Sequence, residues 1–274
     1  MITAIKAFEG GYCRQLLAMV DRRSWRIVRF QAVFLALKHQ TEGWVLVDAG
    51  YGLRFHEATS RFPYRFYRWA TPTTTAETTT SILERAGIRA EDIRHVIVTH
   101  FHADHIGGLS EFPNAQVHFH ADALEPLQRL PAWRQVRAAF LPQLVPEWLA
   151  EKARALAPAA FTTAADLPFP VHDLFCDGSL RLVYLPGHAP GQVGLAFESS
   201  FGKELYVADA FWRGCQLSDQ VDPLGIAMHL QWDAAAYRRT VIQLREVHRL
   251  GRHHITACHD EGTADRLNQS VAPR

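Results

Sequence analysis

The chain has few cysteines, and no pair of them has metal-site spacing. Four cysteines stand far apart in 274 residues, at Cys13, Cys176, Cys215 and Cys258. Because neither Cys-x-x-Cys spacing nor a dense cysteine pattern is present, the sequence favours neither a disulfide framework nor a zinc site built from thiolates. We expect reduced and mostly buried thiols.

Strong net charge and long apolar runs are also missing. The formal net charge is +1 and the sequence pI is about 7.8, so the chain as a whole has no electrostatic attraction to nucleic acid or to an acidic membrane. No stretch approaches the roughly 18 apolar residues of a membrane span, and the N-terminal segment does not resemble a secretory leader. We therefore expect a cytoplasmic protein that acts on a small molecule, with neither nucleic acid nor membrane as a partner.

Patterns typical of strands alternate with patterns typical of helices, which predicts an α/β protein. Strand patterns occur at WRIVRFQAVFLAL, GWVLVD, HVIVT, AQVHF, LRLVYL, VGLAF, ELYVA and HHITAC. The clearest helix begins after the N-cap Asp233 and ends at Gly251. Its predicted buried face consists of Tyr237, Val241, Leu244 and His248. The length fits one domain over residues 1–274.

Two segments depart from this alternation. Residues 55–72 mix aromatic side chains with arginines, and residues 126–156 are rich in Trp, Leu, Pro and Arg. Each segment is predicted to be either a lid or wall over a site, or an interface. Because aromatic residues and arginine are enriched at protein interfaces, a homodimer is one expectation.

The stretch THFHADHIGG carries the clearest chemistry. It places His100, His102, Asp104 and His105 within six positions, directly after the strand pattern HVIVT. Burying four ionisable side chains so close together is costly unless they bind a metal or form a dense hydrogen-bond network. Imidazole and carboxylate ligands suit zinc, iron or manganese. Because four such groups on one short loop cannot all converge on one ion, we expect two ions.

Three further candidate ligands also follow strand patterns. His188 follows LRLVYL, Asp209 ends ELYVAD, and His259 ends HHITACH. Loops at strand ends are common positions for ligands, because the strands hold them in place. The remaining histidines are interpreted as packing or surface residues, among them His118, His120, His253 and His254.

These motifs together resemble the metallo-β-lactamase superfamily. The signature His-x-His-x-Asp-His stands at residues 100–105 and is followed by Gly107 and Gly108. His188 lies in a Pro-Gly-His motif, His259 lies in Cys-His-Asp, and Asp48 lies in VDAG. The resemblance implies a single domain folded as a four-layer αββα sandwich. Two mixed β-sheets would be flanked by helices, with the metals at one edge between two similar halves.

The resemblance also implies the role of each site residue. His100, His102 and His188 would hold the first metal ion, and Asp104, His105 and His259 the second. Asp209 would bridge both ions, and Asp104 and Asp209 would be the catalytic residues. Asp48 and Thr99 would orient the ligands. Two divalent ions, zinc first with iron or manganese as alternatives, would share a bridging hydroxide that attacks the substrate.

The substrate expected from the resemblance is a lactone or another carboxylic ester with an apolar group. In these motifs the chain is similar to N-acyl homoserine lactonases, and its apolar segments would suit an acyl chain. Many such lactonases have a tyrosine three residues after the bridging aspartate, where this chain has Trp212. The alternatives are a phosphodiesterase or a thioesterase of the same fold, and a metal-containing sensor of small ligands with little turnover.

Overall fold

The computed structural model describes residues 1–269, whose strands form two mixed sheets. The strands are β1 (Ile2–Leu16), β2 (Ile27–His39), β3 (Gly43–Val47), β4 (Thr73–Thr74), β5 (Ile93–Ile97), β6 (Gln116–His120), β7 (Ala153–Leu156), β8 (Val171–Asp173), β9 (Leu180–Tyr184), β10 (Val193–Ser199), β11 (Gly202–Tyr206) and β12 (His254–Thr256). The first sheet has the order β4-β1-β2-β3-β5-β6-β7, and the second has the order β12-β11-β10-β9-β8.

Helices pack against both sheets. They are α1 (Arg54–Ala58), α2 (Arg65–Ala70), α3 (Thr79–Arg85), α4 (Ala103–Ile106), α5 (Glu125–Gln128), α6 (Ala132–Arg137), α7 (Leu149–Lys152), α8 (Cys215–Ser218), α9 (Gly225–His229), α10 (Ala234–Leu250) and α11 (Thr263–Gln269). The last helix, α11, contributes Ala264 and Leu267 to the apolar cluster between the sheets. Within residues 1–269, no helix is long and apolar enough to cross a membrane.

The alternation of side chains along the strands produces the layers. On β2, Val33, Leu35 and Leu37 pack between the two sheets, whereas Phe34 faces the helices outside the first sheet. This follows from the two-residue period of a strand, which sends neighbouring side chains to opposite faces. On the far side of the second sheet, α10 packs against its outer apolar face. The expected four-layer αββα sandwich is confirmed.

The predicted strand patterns correspond to β2, β3, β5, β6 and β9–β12. The longest strand, β1, was not predicted. Its pairing with β2 shifts register between Glu9 and Tyr12, where the chain has Gly10 and Gly11. This irregularity interrupts the alternation by which a strand is recognised.

The predicted helix near the C-terminus is α10, with the side chain of Asp233 capping its first turn and Gly251 in the left-handed conformation at its end. One predicted face residue was wrong, because His248 is exposed and Val247 is buried instead. Val247 and His248 both adjoin the buried face of α10 at its last turn, and the apolar side chain of Val247 is the one that packs there.

Strand direction places the candidate ligands at one edge. β3 and β5 are parallel neighbours in the first sheet. In the second sheet, β10 is antiparallel to both β9 and β11, and β12 is parallel to β11. The strands β9, β11 and β12 therefore all run in one direction, and the loops after them lie along the same edge of the sheet.

Candidate metal centre

Two groups of buried side chains meet at this edge. The first group consists of His100, His102 and His188, and the second of His105, Asp209, Cys258 and His259. Within each group the candidate ligand atoms all lie within 4.8 Å of one another. The structure therefore brings together side chains from loops of both sheets.

Hydrogen bonds orient the imidazoles of the first group. The Nδ1–H of His188 donates a hydrogen bond to Oε1 of Gln231 at 2.9 Å, which leaves Nε2 of His188 with a lone pair. That Nε2 lies 3.0 Å from Nδ1 of His102. Burial lowers the pKa of all three imidazoles, and the neighbouring histidines lower it further for His100 and His102. The neutral form, which binds metals, is thereby favoured.

Asp48 orients the next imidazole, that of His105. Its Oδ2 accepts a hydrogen bond from Nδ1 of His105 at 2.7 Å, and its two oxygens accept the backbone N–H and the hydroxyl of Thr99 at 2.8 Å each. Asp48 has a left-handed backbone, with φ 61°. Such strain is typical of functional sites, where surrounding contacts maintain it. The Nε2 of His105 consequently points into the group.

Asp209 lies between the two groups. Its Oδ2 is 3.0 Å from Nε2 of His259 and 3.5 Å from Nε2 of His188, and its Oδ1 is 3.5 Å from Nε2 of His105. The other nitrogen of His259, Nδ1, donates to the carbonyl oxygen of Gln31 at 2.7 Å. The carboxylate of Asp209 thus contacts imidazoles of both groups, as a bridging residue would.

Asp104 and Cys258 are alternative candidates for a metal ligand in the second group. The Oδ2 of Asp104 lies 3.6 Å from Nε2 of His105 and 3.4 Å from Nε2 of His259. The thiol of Cys258 is fully buried and donates to the carbonyl oxygen of Val33 at 3.4 Å. Asp104 lines the cavity described below and Cys258 does not. We therefore regard Asp104 as the better ligand and Cys258 as a packing residue.

The donor set fits positively charged ions. Nε2 of His100, Nε2 of His105 and Oδ1 of Asp209 are buried and have no hydrogen-bond partner among residues 1–269. Buried polar atoms are rarely left unpaired, so such atoms point to a ligand. Burial alone would lower the pKa of His105 and His259, but the neighbouring carboxylates raise the pKa of both well above the ordinary value. The carboxylates thus stabilise a positive charge next to His105 and His259.

A cavity of about 410 Å³ opens onto this centre. Residues 55–72 contribute Phe66, Tyr67, Ala70 and Thr71 to its walls, and residues 126–156 contribute Trp133, Val136, Arg137, Ala138 and Ala139. On the outside, the exposed rings of Phe62 and Phe66 contact Trp69, and Phe66 also contacts Trp133. Both unusual segments therefore form walls of the cavity, while the homodimer stays a prediction.

Trp212 also lines this cavity, with its ring centroid 5.7 Å from that of His188. Two phenol side chains in this cavity were not predicted from the sequence. Tyr51 and Tyr67 line the same cavity. Their only signal in the sequence was an aromatic content that suits packing equally well. A phenol is thus present at the site, although not at the position of Trp212.

The histidines predicted to serve packing or the surface lie outside both groups of the metal centre. His118, His120 and His253 are buried, and His254 is exposed. His118 hydrogen-bonds to His95, and His120 stacks on Tyr184.

The sequence matches the model of the Metallo-beta-lactamase superfamily over residues 27–248. A probable metallo-hydrolase of Mycobacterium tuberculosis is 30% identical over 187 residues, which cover 63% of this chain and 54% of that protein. The chain thus spans about half the length of that relative. An N-acyl homoserine lactonase of Azorhizobium caulinodans is 32% identical over 112 residues, or 38% of this chain and 36% of the relative.

Solved structures extend the comparison over almost the whole chain. An N-acyl homoserine lactone hydrolase, with the product N-hexanoyl-L-homoserine bound at its catalytic metal center, has a TM-score of 0.75. It is 18% identical, and the match covers 97% of this chain and 96% of that one. A dizinc quorum-quenching lactonase matches with a TM-score of 0.66 and 16% identity, over 94% of this chain and 87% of its own. At these identities the likeness shows a common fold.

Proposed function

The chain belongs to the metallo-beta-lactamase superfamily, and on that premise we propose that it is a metal-dependent hydrolase of lactones or other carboxylic esters with an apolar group. One observation carries the proposal. The walls of the larger cavity are mainly apolar and aromatic, and its base includes His102, Asp104, His188, Asp209 and His259. An apolar group would bind against those walls while the polar bond to be cleaved lies beside the metal ligands.

We assign the ligands of two divalent ions, zinc first, from the orientation of the side chains. His100, His102 and His188 would hold one ion, and Asp104, His105 and His259 the other, with Asp209 between them. Bound metal ions would supply Lewis-acid polarisation and an activated water at neutral pH. Asp48, Gln231 and the carbonyl of Gln31 each fix the proton of one imidazole, which leaves its other nitrogen free to bind.

The residues around the reacting bond provide orientation and exclude water. The half-buried indole of Trp212 stands nearly perpendicular to the ring of His188, at an interplanar angle of 86°. Tyr67 adds a phenol from α2 to the wall of the same cavity. Lactonases among the related structures support a carbonyl substrate over a phosphodiester.

Replacing Asp209 with alanine tests the proposal. We expect Asp209→Ala to lose bound metal and to lower the hydrolysis of a long-chain acyl lactone by more than about 100-fold, because its carboxylate contacts both groups. Metal content is measured after dialysis, and turnover is compared on the lactone and on an activated phosphodiester. Asp219→Ala, which removes an exposed carboxylate outside the centre, is the matched control.

Three outcomes would contradict the proposal. Full metal content and activity in Asp209→Ala would disprove the bridging role. Turnover of the phosphodiester alone would move the substrate class to phosphate esters. Tight binding of the lactone without turnover by the metal-loaded protein would favour a sensor.

A further inference from the structure

A second cavity, of about 240 Å³, lies beside the first. The two cavities share His102 and His188 of the proposed metal centre, together with Arg137, Ala138 and Leu230. A molecule whose reacting bond lies at the two histidines can therefore extend into both cavities.

The second cavity differs from the first in charge. Arg134, Arg137 and His229 line it, and within the described part of the chain no acidic side chain is among its lining residues. Nη2 of Arg137 donates to the carbonyl oxygen of His229 at 2.9 Å, which holds this guanidinium at the junction of the cavities. Arg134 is exposed, and its guanidinium has no hydrogen bond or ion pair with any side chain or backbone group of residues 1–269. Its donors are available to a ligand.

The wall of the second cavity also supports the metal centre. Gln231, whose Oε1 accepts a hydrogen bond from His188, donates from Nε2 to the carbonyl oxygen of Ala227 at 3.0 Å. The backbone N–H of Trp232 donates to the carbonyl oxygen of His188 at 3.1 Å. The second cavity is thus attached rigidly to a proposed ligand, and a group bound in it has a fixed position relative to the reacting bond.

We propose that this cavity, here called the anion subsite, binds a carboxylate on the alcohol side of the substrate. The inference rests on the proposed ester hydrolysis and narrows its substrate class. The preferred substrate is an ester with an apolar acyl chain in the larger cavity and an anionic alcohol portion in the anion subsite. Guanidinium groups bind carboxylates strongly because their planar donors match the two oxygens.

A pair of esters tests this preference. Decanoyloxyacetate carries a carboxylate on its alcohol side, and its methyl ester is the neutral counterpart. Hydrolysis adds water across the decanoyl C–O bond and yields decanoate and a proton, with glycolate or methyl glycolate as the alcohol. We expect the metal-loaded protein to show a KM about 10-fold lower for the anionic ester. Arg134→Gln should abolish this difference.

A binding measurement separates recognition from catalysis. N-decanoylglycine and its methyl ester replace the scissile ester with an amide, and their Kd values are obtained by calorimetry. We expect about 10-fold tighter binding of the carboxylate, lost in Arg134→Gln and partly kept in Arg134→Lys. Arg129→Gln is the matched control, because Arg129 is also an exposed arginine, pairs with Glu125 and is not among the lining residues of either cavity within residues 1–269.

The outcomes distinguish this inference from the proposed function. If the protein hydrolyses both esters with equal KM and Arg134→Gln changes neither KM nor Kd, the anion subsite is disproved and the hydrolase stands. If neither ester is hydrolysed, the hydrolase proposal fails, and the calorimetry still tests the subsite. A carboxylate preference that survives in Arg134→Gln but disappears in Asp209→Ala would place the anion at the metal centre and overturn the inference.

Discussion

Asp48 is the buried carboxylate on which the orientation of His105 depends. It accepts hydrogen bonds from His105 and from both the backbone and the side chain of Thr99. Because the carboxylate makes all its contacts within the protein, it holds its neighbours in place and does not face the cavity. The early motif VDAG thus contributes the carboxylate that positions His105, one of the proposed ligands.

Replacing Asp48 with asparagine should weaken metal binding. Asp48→Asn keeps the size of the side chain but removes its charge and one acceptor, so we expect metal affinity to fall by about 10- to 100-fold. The affinity is measured by competition with a coloured chelator. Asp122→Asn, at an exposed aspartate near His120, provides the comparison. Equal affinities in the two variants would contradict the positioning role.

His118 is a buried histidine outside the metal centre. Burial, followed by the neighbouring His95, lowers its pKa to about 4, and His95 Nδ1 lies 3.0 Å from His118 Nε2. The unfolded chain binds a proton at this histidine near pH 6.5, whereas the folded chain does so only near pH 4. The folded state therefore loses stability as the pH falls between these two values.

We expect His118 to contribute about 1–3 kcal/mol to this loss of unfolding free energy. His118→Gln should therefore show a smaller difference in unfolding free energy between pH 7 and pH 4.5 than the wild type. Denaturant titration at each pH measures the unfolding free energy. Because both proteins keep the same metal centre, its contribution cancels in the comparison. His254→Gln, at an exposed histidine, should keep the wild-type dependence. An unchanged pH dependence in His118→Gln would show that this histidine is not responsible.

At the scale of elements, the short helix α4 is held against the loop that follows β3. A Cβ atom at Gly107 would lie 1.6 Å from the carbonyl oxygen of Tyr51, and one at Gly108 would lie 1.9 Å from Oγ1 of Thr79. The backbone N–H of Ala49 donates to the carbonyl oxygen of His105 at 2.7 Å. The glycine pair after the histidine motif is therefore required for this close approach.

Gly107→Ala should separate α4 from that loop. Because a methyl group cannot fit against the backbone of Tyr51, we expect a loss of about 2 kcal/mol or more in unfolding free energy, together with a lower metal content. Gly225→Ala is the control, since no atom lies within 4 Å of a Cβ placed there. Wild-type stability in Gly107→Ala would mean that the backbone readily moves apart.

At the scale of the whole molecule, the proposed ligands connect the two sheets. His100, His102 and His105 follow β5 of the first sheet, whereas His188, Asp209 and His259 follow strands of the second. Bound ions would therefore tie the two halves of the sandwich together in addition to the apolar core between the sheets.

Removal of metal should lower the thermal stability of the wild type. A ligand present at 100 times its Kd stabilises the folded state by about 2.7 kcal/mol. For a protein of this size, that corresponds to a decrease in Tm of about 5–10 °C on chelation. Calorimetry with and without chelator measures it. Asp209→Ala should show little change, and an identical wild-type Tm in both conditions would exclude a stabilising ion.

The sequence by itself determined the class of fold and the candidate ligands. Strand alternation and helix capping are local signals, and His100, His102, Asp104 and His105 stand in one short motif whose chemistry is readable without coordinates. His188, Asp209 and His259 could be selected because each follows a strand pattern. The irregular register near Gly10 and Gly11 is why β1 was missed.

Only the tertiary structure decided how distant segments meet. It placed Asp104 at the cavity and Cys258 against the backbone of β2. The preference for Asp104 over Cys258 as a proposed ligand depends on these side-chain directions. It brought Tyr67 to the cavity of the centre, and it placed Arg134 and His188 in the wall of the same second cavity. These contacts join residues far apart in the chain, and no local pattern encodes them, because packing of the helices against the sheets sets their distances.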